Sequence, residues 1–285
     1  MQRVNLQRGD GDLAAIERAF VAANPGHSLA WLPSVGDLPA APVARIALVQ
    51  GGSSTVHVER VGGLEPPRES TVGDVIVLAA GEAARFDPPV SALVFGLPEA
   101  PAAEVPRVIR PDWDPRITDT PGGCATDAGA YRRVLLTWLG KNGPYTFRGL
   151  NVHRVRIDDS FTHYHPRQGG FDEFYLVQAV RDGARILTSS RTADIERPET
   201  IARHDVATLF ESTPLLVGDL VYLPRGTAHR GLGGVVAQVI TVPGFVPGAE
   251  VGLDHHLRAI NERLGLLGAE ALPLHAAGVA QPIVR

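Results

Sequence analysis

Apolar residues in this chain come in short runs. ARIALVQ (44–50), DVIVLAA (74–80), SALVFGL (91–97), NVHRVRI (151–157), EFYLVQAV (173–180), ARILTSS (184–190), DLVYLP (219–224) and AQVITVP (237–243) are rich in Val, Ile, Leu or Tyr and bounded by Gly, Pro, Asp or Ser. Runs this short, closed by turn residues, predict many strands in a sandwich or barrel rather than alternating strand–helix units. Helical periodicity is confined to the edges. One helix is expected over about residues 11 to 22 with Asp12 as N-cap. Another is expected over LDHHLRAINERLGLL, about 253 to 267, with Asp254 as cap and Gly268 as terminator. YRRVLLTWLG (131–140) fits a helix or a strand.

The pattern occurs twice. GDVIVLAAGEAA begins at Gly73 and GDLVYLPRGTAH at Gly218, and the same offset leads from these glycines to Pro98 and Pro243. Upstream, IALVQ (46–50) matches FYLVQ (174–178). Two copies of one β unit follow. The Pro-rich stretch from about 99 to 121 separates them, so the expected organisation is a first unit over 1–98, a linker over 99–130, a second unit over 131–250 and a helical tail over 251–285.

An apolar fraction of 44% over 285 residues supports a full core, and a net charge of −4 gives no general attraction to nucleic acid or anionic membrane. No apolar run reaches the length of a membrane span, and the polar, then amphipathic, start does not read as a signal peptide. Cys124 is the single cysteine, which excludes a disulfide within the chain and fits a reducing cytoplasm. Its surroundings, TPGGCATDAG, offer nothing to lower a thiol pKa. Lys141, the single lysine, lies in the turn-like GKNGP, a poor place for Schiff-base chemistry.

The candidate chemistry lies in THYHPRQGGFDEFYLVQ (162–178). On a strand, His163 and His165 project to one face and Tyr164 to the other. PRQGG suits a turn, and a hairpin there brings Glu173 beside the two imidazoles. His229, after the Pro-Gly turn PRGTA, is placed to add a fourth group. Three imidazoles and a carboxylate are first-row divalent metal ligands. Asp172 competes with Glu173, which is favoured because it shares facing parity with Tyr175 and Val177. The first copy lacks the cluster. Arg45 corresponds to Glu173, Ala84 to His229, and Val35 and Asp37 stand where the His pair would be. His27, His57, His153, His204, His255 and His256 lack such company and are set aside as structural or exposed.

His-x-His with Glu173, followed by Gly218, Pro224, Gly226 and His229 in the spacing G-x5-P-x-G-x2-H, resembles the two cupin motifs. The His165-to-Glu173 spacing is longer than usual, the insertion RQGGF lengthening the hairpin while leaving the strands in phase. The resemblance covers about residues 147 to 245 and, through the repeat, extends to about 30 to 98. It implies an all-β bicupin, two small jelly-roll barrels with a few peripheral helices, whose C-terminal barrel alone keeps a metal site. The implied ligands are His163, His165, Glu173 and His229, holding one divalent ion, Fe(II) by preference, with Mn, Ni, Zn or Co as alternatives. The implied activity is that of an Fe(II)-dependent dioxygenase on a small enol, diketone or aromatic substrate. The alternative is a non-redox isomerase, lyase or decarboxylase acting on a sugar acid or keto acid. An apolar pocket favours the first, and several Arg and Lys in the pocket favour a polyol or sugar acid. Tyr175 and Tyr222 are candidate pocket phenols, and Arg154, Arg156 and Arg225 are candidate contacts for an anionic small-molecule substrate. The segment 188–217 is expected to form a lid or an extra strand pair. A cytoplasmic homodimer completes the expectation, with neither nucleic acid nor membrane as partner.

Overall fold

Every apolar run named above contributes a strand, and the strands curl into two sheets. The structure is a computed structural model and describes residues 1–122, 130–138, 140–244 and 248–280. Cys124 lies outside the described residues. The first half contains β1 (Gln2–Asn5), α1 (Leu13–Ala23), β2 (Ser28–Leu38), β3 (Ala44–Gly51), β4 (Ser53–Arg60), β5 (Gly63–Leu64), β6 (Arg68–Thr71), β7 (Val75–Leu78), β8 (Ala83–Leu97) and β9 (Val108–Ile109). The second contains β10 (Arg132–Leu136), β11 (Asn151–Asp159), β12 (His163–Tyr164), β13 (Asp172–Val180), β14 (Arg185–Ser189), α2 (Thr192–Ile195), β15 (Glu211–Pro214), β16 (Asp219–Leu223), β17 (Ala228–Val242), β18 (Val251–Gly252) and α3 (Asp254–Leu264). The ambiguous segment after Tyr131 is thus a strand, β10. No helix among the described residues is long and apolar enough to cross a membrane.

The two sheets repeat one register. Arg45 on β3 lies opposite Leu78 on β7 and Gly96 on β8. Glu173 on β13 lies opposite Leu223 on β16 and Thr241 on β17. The Gly-Asp pairs make the same turn in both. Gly73 (φ 97°) and Gly218 (φ 87°) take a backbone conformation that a side chain would strain. Asp74 then accepts from the Thr71 amide, and Asp219 from the Leu216 amide.

Alternation sends one face of each strand inward. The N-terminal barrel is filled by residues including Ala47, Val49, Val56, Ile76, Phe86 and Ala92. The C-terminal barrel is filled by Val155, Ile157, Tyr175, Val177, Val221 and Val239 among others. The opposite faces of β3 and β13 meet between the barrels, where Leu48, Phe95, Phe174, Leu220 and Tyr222 form a shared core. Phe20 of α1 fills its centre, edge-on to Phe95 at 5.7 Å and to Phe174 at 5.3 Å. Repeat-related Gln50 and Gln178 also meet here, Gln178 Nε2 donating to Gln50 Oε1 at 3.3 Å.

The halves are interleaved at their edges. β1, within the expected first unit, pairs with β16 of the second sheet. β9, within the expected linker, pairs with β7 of the first. Neither edge strand thus pairs where its place in the chain suggests, because its brief apolar pattern carries no register information.

α1 follows the expected pattern, Asp12 accepting from the Ala15 amide at 2.9 Å. α3 departs from it. Leu253 is the N-cap, and the helix ends at Gly265, φ 61°, not at Gly268. Asp254 is fully buried and accepts from the amides of Thr162 and His275, each at 3.0 Å, so it ties the helix to the strand entering the histidine pair. The segment 188–217 supplies β15, which pairs with β14, together with α2 and two 3-10 turns. Ile195, Ile201 and Leu209 from this segment pack on Leu257 and Ile260 of α3, forming a fixed cap with its own small core.

Candidate metal centre

The histidine pair enters the C-terminal barrel on β12, and β17 begins beside it. His163 pairs with His229 in the ladder, which fixes their rings 4.2 Å apart between centroids. His165 follows on the same face, while Tyr164 turns away and its hydroxyl donates to Glu196. One ligand atom from each of His163, His165 and His229 lies within 4.8 Å of the others. Glu173, the first inward position of β13, brings its Oε1 to 3.1 Å from His229 Nε2 and its Oε2 to 3.8 Å from His165 Nε2. All four residues are buried.

Tautomers follow from the neighbours. His163 Nδ1 lies 3.1 Å from the Phe161 carbonyl, and His229 Nδ1 lies 3.1 Å from the Thr227 carbonyl. A carbonyl can only accept, so each Nδ1 carries the proton and each Nε2 turns a lone pair inward. Burial, then the neighbouring His229, pushes His163 down to about 3. The same causes, joined by His163, hold His165 well below the usual imidazole value. Nε2 of all three histidines and Oε1 of Glu173 are buried without a hydrogen-bond partner. Lone pairs facing each other at 3.1 Å repel unless a cation lies between them. The donor set, neutral nitrogens backed by carbonyls and one carboxylate, fits a divalent first-row metal ion.

The other candidates divide by strand parity. Tyr175 points into the barrel, its ring 6.2 Å from His229. Tyr222 does not: it faces the inter-barrel core and donates to Asp172 Oδ2 at 3.0 Å. Arg154 is also outside, because His153, not Arg154, shares the inward parity of Val155. Its Nε donates to Gln178 Oε1 at 2.8 Å, and its Nη1 pairs with Asp112. Tyr222 and Arg154 are thus corrected from pocket groups to structural ones, and Arg156, of the same parity as Arg154, is exposed. Arg225 bonds Asn24 and the Val242 carbonyl, and its backbone amide donates to Asp172. Asp172 therefore faces away from the histidines. Lys141 is exposed in a turn.

Two groups escaped the sequence reading. Glu250 brings Oε1 to 3.8 Å from His163 Nε2. Burial, then the charge of Glu173, pushes its carboxyl up to about 8 against the opposing pull of Arg132. It lies beyond both motifs, in a segment without strand periodicity, and only the pairing of β18 with β12 brings it back to the site. His153, set aside for want of company, stands on the inner wall of β11; its parity with Val155 and Ile157 was the available signal.

In the first barrel, Arg45 is half-buried and donates to the Glu82 carbonyl at 2.9 Å. The three histidines form the one group with metal-ligand spacing found among the described residues.

No family model matches the sequence, and no curated protein matches it. Solved structures do resemble it. A structure of Bacillus subtilis oxalate decarboxylase, described for its Mn(II) centres, superimposes with a TM-score of 0.53 at 12% identity, covering 94% of this chain and 80% of that one. An oxalate decarboxylase structure described for substrate binding mode and a reaction specificity switch gives 0.50 at 12% identity, covering 91% and 79%. A further oxalate decarboxylase structure, described for an element that modulates proton-coupled electron transfer, gives 0.50 at 12% identity, covering 86% and 77%. The chain therefore has the cupin fold, in the two-barrel arrangement of these structures.

Proposed function

We propose that this chain is a mononuclear metal-dependent cupin enzyme, with His163, His165, His229 and Glu173 as ligands and a small carboxylate as substrate. The observation that carries the reading is the convergence of four buried donor atoms that have no other hydrogen-bond partner. A divalent ion held by these four residues would supply Lewis acidity to a bound carboxylate. The protein's own groups do the rest. The carbonyls of Phe161 and Thr227 orient the imidazoles of His163 and His229, Tyr175 lines the barrel 6.2 Å from His229, and Glu250, 3.8 Å from His163, is the carboxyl placed to exchange a proton with a substrate.

Within this reading we favour the non-redox alternative, cleavage or rearrangement of a carboxylate, over the Fe(II) dioxygenase preferred from sequence. An apolar lining would favour the dioxygenase. Beside the ligands the barrel instead carries Glu250, Asn151, His153 and Thr241, with Arg132 close enough to act on Glu250 and His153. The resemblance to oxalate decarboxylase supports cleavage of a carboxylate, and with it Mn(II) as the first metal to try.

The test is metal content, with CO2 release and O2 uptake followed on a panel of small carboxylic acids. One metal per chain, lost in His163→Ala, with CO2 release and no net O2 uptake, is the expected result. Stoichiometric O2 consumption with Fe(II) would restore the dioxygenase, and failure of every divalent ion to bind would overturn the reading.

A further inference from the structure

The inner wall of the C-terminal barrel continues past the metal ligands as a polar row. Asn151 on β11 lies opposite Thr241 on β17, and Thr241 lies opposite Glu173 on β13. His153 is the next inward position of β11, opposite Val239, which in turn faces Tyr175. Relative exposures are 5% for Asn151, 6% for His153 and 1% for Thr241. Asn151 Oδ1, His153 Nδ1 and Thr241 Oγ1 are each buried without a hydrogen-bond partner. Native interiors seldom leave such groups unmatched, because water rewarded them in the unfolded chain. Three on one wall point to something that enters and bonds them.

The repeat gives an independent argument. In the first barrel the same register places Ser28 opposite Gly96, Gly96 opposite Arg45, and Ala30 opposite Val94. Asn151, Thr241 and His153 thus correspond to Ser28, Gly96 and Ala30. Of these only Ser28 is polar, and it is exposed, so the barrel without the metal ligands has no buried polar row at this place. Packing alone would not tie the two sets together.

The chemistry of the wall narrows the ligand. An amide, a hydroxyl and an imidazole that burial keeps neutral carry no charge. A second carboxylate placed against Asn151 and Thr241 would lose its water without gaining a countercharge from them. A hydroxyl both donates and accepts, so it can satisfy either end of the amide, the threonine or the imidazole. Among the described residues Arg132 acts on both Glu250 and His153, and a metal held by the four ligands would add positive charge beside Glu173.

We propose that Asn151, His153 and Thr241 form the hydroxyl-binding wall of the substrate site, so that the substrate is a small hydroxylated monocarboxylic acid rather than an unsubstituted acid or a diacid. The inference rests on the metal centre proposed above. Its probes are three-carbon acids of similar size: glycerate, malonate and propionate, titrated calorimetrically into Mn(II)-loaded full-length protein.

Glycerate is expected to bind about tenfold or more tightly than either other acid, the scale of one or two buried hydrogen bonds. Thr241→Val and Asn151→Leu should each reduce that preference by about tenfold while Mn(II) content stays at the wild-type level. Thr241→Ser, which keeps the hydroxyl, should retain it. Equal binding of malonate or propionate, no detectable binding of glycerate, or a preference unchanged in both variants would overturn the inference, the wall then holding water only. A variant that loses its metal would also overturn it, by making the row a support of the ligands. A wild-type protein that takes up no metal instead sinks the proposed metal centre, and this inference with it, whereas metal uptake without the glycerate preference sinks this inference alone.

Discussion

Asp172 and Glu173 are chemically near-identical neighbours that face opposite ways on β13. Glu173 turns toward three imidazoles. Asp172 accepts from Asn24 Nδ2, the Tyr222 hydroxyl and the Arg225 amide, all on the inter-barrel side. Asp172→Ala should therefore leave metal content intact yet destabilise the fold by about 1–3 kcal/mol, the cost of buried partners left unmatched. Elemental analysis beside denaturant unfolding checks both halves, and loss of metal would exchange the roles of the two residues. The converse change, Ala84→His in the first barrel, should confer no metal binding, because Arg45 holds the position of the carboxylate. Parity made Glu173, Tyr175 and the inward histidines legible in the sequence. The same rule sets Arg154 and Tyr222 on the outer faces of β11 and β16, opposite in parity to Val155 and Val221.

At the scale of elements, the elements around the site are held by single buried carboxylates. Asp254→Ala removes the acceptor that joins α3 to Thr162, just ahead of His163. It should cost about 1–3 kcal/mol, measured by thermal unfolding, and should weaken metal binding through the displaced strand rather than through a lost ligand. Asp74, in the Gly-Asp turn of the first barrel, gives a pH signature. Burial pushes it up to about 6 from an ordinary 3.8, against the Thr71 amide and Arg110. The folded state then binds this proton more tightly than the unfolded chain does. Its contribution to stability is full below about pH 4, declines as pH rises to about 6, and is flat beyond. Asp74→Asn keeps an acceptor for the Thr71 amide and should remove this slope, a difference of at most about 3 kcal/mol. Unfolding of both proteins from pH 4 to 7 would show it, and parallel curves would refute it. Neither carboxylate role was visible in sequence: Asp254 read as a helix cap, and its true partners lie far along the chain.

On the scale of the molecule, the two barrels share a core, and Phe20 is its keystone, touching Phe95 from one barrel and Phe174 and Tyr222 from the other. Phe20→Ala should cost about 3–5 kcal/mol and lower the unfolding of both barrels together, one transition shifting rather than two separating. Calorimetry decides this, and a surviving separate transition for the N-terminal barrel would show that the barrels fold independently. Joined this way, the first barrel supports the wall on which the second barrel's polar residues stand, because β13 presents Phe174 to the shared core and Glu173 to the interior.

The local pattern of the sequence determined the strands, the duplication and the shared facing of His163, His165 and Glu173, since period-two alternation and turn residues act over a few positions. Tertiary structure alone decided what depends on distant pairing. It set β1 into the second sheet, brought Glu250 back beside His163 through β18, and turned Asp254 from a cap into a tie. It also lined Asn151 and Thr241 up with Glu173. The physical reason is that register between strands far apart in the chain is fixed by the closing of the whole barrel, and no local stretch carries that information.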